Sequence, residues 1–303
     1  MISGAMNILL LGKNGQVGWE LQRSLSILGS VTACDFDSPG DLRADFSDPE
    51  SLAPLVRRLR PDAIVNAAAH TAVDKAEAEP DLARRINATG PAVLAREAAA
   101  IGASLIHYST DYVFDGGGNA FREETAATGP LSVYGHTKLE GEEAVRASGC
   151  RHAILRTSWV YAARGHNFVR TMLRLAAERD ELKVIDDQHG APTGADLLAD
   201  VTAVVLRRLH AEASVSGTYH CVAAGETTWH GFARFVIEWA RSRGLPVKVA
   251  ADRILPVPTT EYPTPARRPH NSRLDTSKLR RTFDLTLPPW QAGVERMLVE
   301  ITG

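Results

Sequence analysis

Apolar positions in the first half of the chain alternate between two patterns. Short apolar runs, the mark of strands covered on both faces, stand at residues 7–12, 30–35, 62–66, 103–108 and 151–157. Between them lie longer stretches whose apolar residues recur three and four apart, the period of a helix. These are residues 15–28, 49–59, the alanine-rich 80–101, and 132–147. Strands joined through helices of this length require right-handed crossovers, which produce a parallel sheet with helices on both faces. The pattern predicts an α/β fold built on a doubly wound parallel sheet.

After about residue 158 the alternation loosens. Helical spacing returns at 167–178, 196–210, 229–243 and 289–301. The prolines between 256 and 269 exclude regular helix or central strand there. Residues 6–158 therefore read as one domain, and 159–303 as a smaller part whose segments interleave with the sheet; 303 residues are enough for both. A formal net charge of −2 argues against nucleic-acid binding over the whole surface. No apolar run nears the roughly 20 residues needed to cross a bilayer, and residues 1–5 lack the basic and apolar regions of a signal peptide. Cys34, Cys150 and Cys221 are far apart and form no CxxC pair, so a reduced cytoplasmic setting is expected.

The first strand leads into Gly12-Lys-Asn-Gly15-Gln-Val-Gly18 and then the first helix. Glycine there permits a tight turn with positive φ and lets the backbone approach a phosphate. The N–H groups opening the helix, with its dipole, attract that anion. The G-x-x-G-x-x-G spacing is one residue longer than the simplest dinucleotide fingerprint, and three glycines could merely make a tight connection. Their place after the first strand of a β-α-β series favours a Rossmann-like dinucleotide site at Gly12, Gly15, Gln16, Val17 and Gly18. Asp35, at the end of the second strand, is set to accept the adenosine ribose hydroxyls and to repel a 2′-phosphate, although it also reads as a solvated turn.

Tyr134 and Lys138 stand four apart within a predicted helix, which sets both on one face. A nearby ammonium is expected to lower the phenol's pKa from near 10 and make Tyr134 a usable proton donor. Thr110, at the C-terminal end of the fourth predicted strand, faces the ligand crevice of such a sheet and can hydrogen-bond a substrate carbonyl. Each feature alone has a structural explanation, a solvated helix or a strand-ending turn. The three together, in this order, form a catalytic constellation.

With these residues in place the chain resembles the extended short-chain dehydrogenase/reductase family. The carrying segments are residues 11–21, 44–47, 65–77, 109–115, 134–138, 156–161, 187–194 and 268–274. The resemblance implies an oxidoreductase that uses NADPH or NADH to reduce the 4-keto group of a dTDP-sugar, with Tyr134 as proton donor. It implies that Gly15, Gln16 and Val17 line the pyrophosphate, Asp35 the ribose, Asp45 and Phe46 the adenine end, and Ala69, His70 and Thr71 the cofactor's other side. Tyr134 and Lys138 would also meet the nicotinamide ribose, and Thr110, Asp111 and Trp159 the sugar. Arg267, Arg268, Asn271 and Arg273 are candidates for the substrate diphosphate, with plain surface charge as the alternative for the first two. The family also includes members that dimerise through Mg²⁺; Asp196 stands where one such carboxylate falls, but its partners, near Glu295 and Glu300, have no clear positions. A homodimer is expected and a metal is not. Rival readings are a sibling epimerase or dehydratase, a regulatory subunit like that of methionine adenosyltransferase, and a bare cofactor-sensing module. A dehydratase needs further acid/base carboxylates beside its threonine; Asp111 is followed here by Tyr112.

Overall fold

The computed structural model describes residues 4–303. Met1–Ser3, part of the segment read above for a signal peptide, lie outside the described residues. The first strand and helix are β1 (Met6–Leu11) and α1 (Gln16–Leu25), followed by β2 (Gly29–Cys34), α2 (Leu52–Leu59) and β3 (Ala63–Asn66). Next come α3 (Gly90–Ile101), β4 (Ser104–Thr110), α4 (Val133–Ala147) and β5 (Arg151–Thr157). The second half supplies α5 (Phe168–Glu178), α6 (Ala195–Ala211), β6 (Gly217–His220), α7 (Trp229–Ser242) and α8 (Trp290–Thr302). The six strands form one parallel sheet in the order β6-β5-β4-β3-β1-β2.

Alternate residues of each strand serve opposite faces, as the pleat requires. Ile8, Leu10, Val65, Ile106 and Leu155 pack with Leu21, Leu25, Leu198 and Leu206 beneath α1 and α6. Leu9, Leu11, Ile64, Leu105 and Ile154 pack with Leu52, Val56, Leu94 and Val145 beneath α2, α3 and α4. A separate core joins α5, α7 and α8 through Met172, Phe232, Val236, Trp290 and Leu298.

Two features depart from the sequence pattern, and a third keeps within it. The helix expected over 80–101 is broken into Pro80–Arg84, a π turn at Arg85–Thr89, and α3. Pro91 is the physical reason: it has no N–H for the ladder and crowds the carbonyl four residues back, and the π turn absorbs the mismatch. β6 was not expected, because Gly-Thr-Tyr-His carries little apolar signal; it joins the sheet edge beside β5. Pro256 does lie in a strand, Ile254–Val257, but in a two-stranded pair with Leu182–Ile185, where a missing donor is tolerated. No helix among the described residues is long and apolar enough to cross a membrane.

Leu10 is fully buried in the centre of the sheet. Leu10→Ala should lower unfolding free energy by about 2–5 kcal/mol, read as a lower urea midpoint with an unchanged slope.

Candidate active site

The crevice opens where β1, β3, β4 and β5 end. Gly12 adopts φ +83°, and a Cβ there would stand 2.6 Å from the Ala68 nitrogen. A Cβ on Gly18 would run into the Gly12 carbonyl. These two glycines hold the loop tight against the sheet, while Gly15, Gln16 and Val17 line the cavity. No side chain caps α1, whose N-cap is Gly15, so its first N–H groups face the crevice free to take an anion. The cavity, of about 450 Å³, is also lined by Ala69, Thr71, Thr110, Asp111, Tyr112, Tyr134, Lys138, Ser158, Trp159 and Trp229.

Asp35 lies just past β2, its carboxylate accepting hydrogen bonds from the backbone N–H groups of Asn14 (3.1 Å) and Phe36 (2.8 Å). Asp45 and Phe46 lie beside it, tied in by the Ala44 N–H donating to the Asp35 carbonyl at 3.0 Å. Asp45 accepts from Ser47 and Arg43, and Phe46 is buried, so neither lines the cavity. His70 does not line it either. Its N–H donates to Asn87 Oδ1 (2.8 Å), and Asn87 Nδ2 donates back to the His70 carbonyl (3.1 Å). Asn87 sits in the π turn, so the break in the expected helix fixes the loop carrying Ala69 and Thr71.

The constellation forms where β4 meets α4. Ser132 caps α4, its Oγ accepting from the Gly135 N–H at 3.2 Å. Tyr134 stands edge-on to Tyr112, ring centroids 5.4 Å apart. Thr110 Oγ1 accepts from the Tyr112 N–H (3.2 Å) and donates to Asp111 Oδ1 (3.0 Å). Lys138 Nζ donates to the Tyr108 carbonyl at 2.6 Å. Burial pushes the Tyr134 phenol up to about 12, with the neighbouring Thr110 hydroxyl pulling the other way. The expectation that Lys138 lowers this phenol's pKa is therefore corrected: burial dominates and keeps the proton on Tyr134. Burial also pushes Lys138 down to about 8, against the charge of Glu142, and Asp111 up to about 6, against hydrogen bonds from Ser272 and Thr110.

Trp159 holds a left-handed backbone (φ +49°) and stacks on Trp229, ring centroids 3.8 Å apart. Gly190 makes room for it: a Cβ there would stand 2.8 Å from the indole. Trp229 and Tyr112 also wall a second cavity of about 370 Å³, with Met172, Leu175, Val184, Ile185, Tyr262 and Arg268. Arg268 is paired with Asp74 at 2.7 Å, and Arg267 is exposed. Asn271 and Arg273 are not brought to either cavity. Asn271 donates to the Ala120 carbonyl (2.9 Å), and Arg273 pairs with Glu226. Tyr112, Ser158 and Trp229 were missed: nothing in the sequence pairs Trp229 with a residue 70 positions earlier. Asp196 is paired with Arg296 at 2.7 Å, and no group of three His, Cys, Asp or Glu able to hold a metal occurs among the described residues.

A doubly wound sheet whose crevice sets a tyrosine and a lysine, one helical turn apart, against a strand-end threonine defines an oxidoreductase of the short-chain dehydrogenase/reductase class. Residues 6–302 match the family described as RmlD substrate binding domain. The chain is 58% identical over 296 residues to the dTDP-4-dehydrorhamnose reductase of Escherichia coli (strain K12), with 98% of each chain covered. It is similar to the crystal structure of a dTDP-4-dehydrorhamnose reductase from Clostridium acetobutylicum (38% identity, TM-score 0.87, 98% of this chain and 100% of that one). It is similar also to that of Bacillus anthracis in complex with NADP (34% identity, TM-score 0.85, 97% and 99% covered). The chain belongs to the dTDP-4-dehydrorhamnose reductase family.

Asp111 links this site to stability. Its folded-state value of about 6 lies above the ordinary 3.8, so the folded chain keeps a proton that the unfolded chain has released. The stability this group contributes is full below about pH 4 and is lost as pH rises through about 6. Asp111→Asn should therefore be more stable than the parent at pH 7 by about 1–3 kcal/mol, with the difference vanishing near pH 4. Urea unfolding at the two pH values checks this; equal stability at pH 7 contradicts it.

Proposed function

We propose that this chain reduces the 4-keto group of dTDP-4-dehydro-L-rhamnose to give dTDP-L-rhamnose, using NADPH or NADH. The observation that carries the reading is the meeting of Thr110, Tyr134 and Lys138 in one crevice, in a chain 58% identical to a reductase of that name. The uncapped start of α1 and the close approach that Gly12 and Gly15 allow the backbone fit a pyrophosphate, and the dinucleotide, when bound, supplies the hydride.

In this reading residues 6–158 hold the dinucleotide and 159–303 most of the sugar nucleotide. Gly15, Gln16 and Val17 meet the pyrophosphate, with Gly12 and Gly18 shaping the loop. Asp35 takes the ribose, and Asp45 and Phe46 support the adenine end. Ala69 and Thr71 border the other side, on a loop that His70 anchors. Tyr134 enters the reaction as a neutral phenol, the state burial enforces, and gives its proton to the substrate oxygen as negative charge builds there. The Thr110 hydroxyl turns from Asp111 to donate to that same oxygen, which stabilises the developing charge. Lys138 holds the nicotinamide ribose and places a positive charge beneath the phenol as it loses its proton. Asp111 and Trp159 orient the sugar ring.

The apolar slot beyond Trp229 and Tyr112 suits the pyrimidine base, with Arg268, on the wall of that slot, reaching the diphosphate. Asn271 and Arg273 act on the substrate at one remove, by holding the segment that carries Arg268. The reading includes a homodimer working in the cytoplasm, with no nucleic-acid partner.

Absorbance of NADPH or NADH with the 4-keto dTDP-sugar tests the proposal. The parent should oxidise the cofactor only with substrate present, and Tyr134→Phe should lose about 10²–10⁴-fold in turnover while still binding cofactor. Parent-like turnover in that variant would remove Tyr134 as proton donor.

A further inference from the structure

The stripe that carries Tyr134 and Lys138 does not end with them. Counting by four along α4, Glu142 and Arg146 continue the same face. Glu142 is fully buried. Its Oε1 accepts from Arg156 Nε at 2.8 Å, and its Oε2 from Arg156 Nη2 at 2.7 Å and Arg146 Nη1 at 2.9 Å. Arg156, on β5, is itself buried, its guanidinium 5.0 Å from the centre of the Phe114 ring. A buried ion pair of this kind is weak evidence for stability, because an apolar pair of similar volume often serves as well. Its position on the catalytic stripe suggests another use.

Lys138 has one neutral hydrogen-bond acceptor, the Tyr108 carbonyl, and almost no contact with solvent. Titratable groups surround Lys138. On α4 stand Tyr134, one turn before it, and Glu142, one turn after. On β4 stand His107, which burial and the Lys138 charge keep neutral, and Tyr108, whose phenol burial also keeps neutral. Asp111 follows β4, and Arg156 comes from β5. Against the burial that drives Lys138 toward its neutral form, Glu142 is the charge that opposes.

We propose that Glu142 is a positioning residue for proton transfer: clamped by Arg156 and Arg146, it keeps the Lys138 ammonium charged on the Tyr108 carbonyl, and Arg156 sets how much of the Glu142 charge Lys138 experiences. The inference rests on the reductase reading for its role in catalysis but not for its electrostatics, and the two can be separated.

The ionisation of Lys138 is followed directly by NMR on protein labelled at lysine Cε, without cofactor or substrate, the signal assigned by its loss in Lys138→Arg. In Glu142→Gln the midpoint should fall by about one pH unit, because a negative charge leaves and Arg156 is unpaired. In Arg156→Met the midpoint should rise by a similar amount, because the Glu142 charge is less neutralised. Arg146→Met, at a partly exposed position that tolerates change, should give a smaller rise and keeps the test alive should either buried variant fail to fold. The alkaline limb of the kcat pH profile should move with each midpoint, Glu142→Asp should recover most of the parent profile, and cofactor affinity should change less than kcat. A clamp that only supports the fold would lower stability and leave the midpoint unmoved; unmoved midpoints, or shifts of one sign in all variants, overturn the proposal. If the midpoints move as expected but the parent shows no turnover with the 4-keto sugar, the reductase reading falls and the electrostatic role of Glu142 stands.

Discussion

Lys138 Nζ donates to the main-chain oxygen of Tyr108 across 2.6 Å, inside an interior that offers its charge almost no water. That bond joins the middle of α4 to the end of β4, and the crevice is built around the junction. It sets the rotation of α4 about its own axis, so that Tyr134, one turn earlier, faces the strand end where Thr110 and Asp111 emerge. A hydrogen bond from a charged donor contributes about 1.5–3 kcal/mol, while burying an unpaired charge costs more than that. The junction therefore stands only with further support. Ser132 caps the helix start, and the Glu142–Arg156 pair holds the next turn to β5.

Burial here works on acid and base together. It raises Tyr134 to about 12 and lowers Lys138 to about 8, which separates two groups whose ordinary values nearly coincide and leaves the phenol the more tightly protonated. A reductase needs the phenol to begin with its proton, and a dry site ensures that it does. In the proposed mechanism the acidity needed in the transition state would come from the neighbouring Lys138 charge and the hydrogen bonds around the forming alkoxide, not from a phenol already ionised at rest. Asp111, raised to about 6 one residue from Thr110, is the stability cost of putting a carboxylate at the same dry place.

The second half of the chain contributes shape. Trp159 stacks on Trp229 and keeps a left-handed backbone that an isolated tryptophan would avoid. This stack and Tyr112 separate two cavities, one beside Tyr134 and one lined by apolar side chains of α5 and the Leu182–Ile185 strand. A ligand long enough to fill both would reach Arg268, which lines the second. A nucleotide-linked sugar, polar at one end and flat and partly apolar at the other, has that form.

Much of this was legible in the order of residues. The five strands of the first half, their parallel arrangement, the glycine loop after β1, and the meeting of Thr110, Tyr134 and Lys138 in one crevice rest on local spacing: a period of two or 3.6, glycines at a strand end, two side chains four apart. Backbone geometry turns such spacing into position without reference to the rest of the chain. What tertiary structure alone decided depends on segments far apart in sequence. The π turn at Asn87 answers to Pro91 nearby, but its use is to hold His70. β6 needs the edge of β5, because its own four residues bury too little to specify a strand. Trp229 meets Trp159 across 70 residues, Asn271 and Arg273 turn to partners away from the cavities, and Tyr134 keeps its proton because the assembled protein removes water from it. Solvent exclusion belongs to the packed whole, so it sets the chemistry of residues whose identity the chain had already determined.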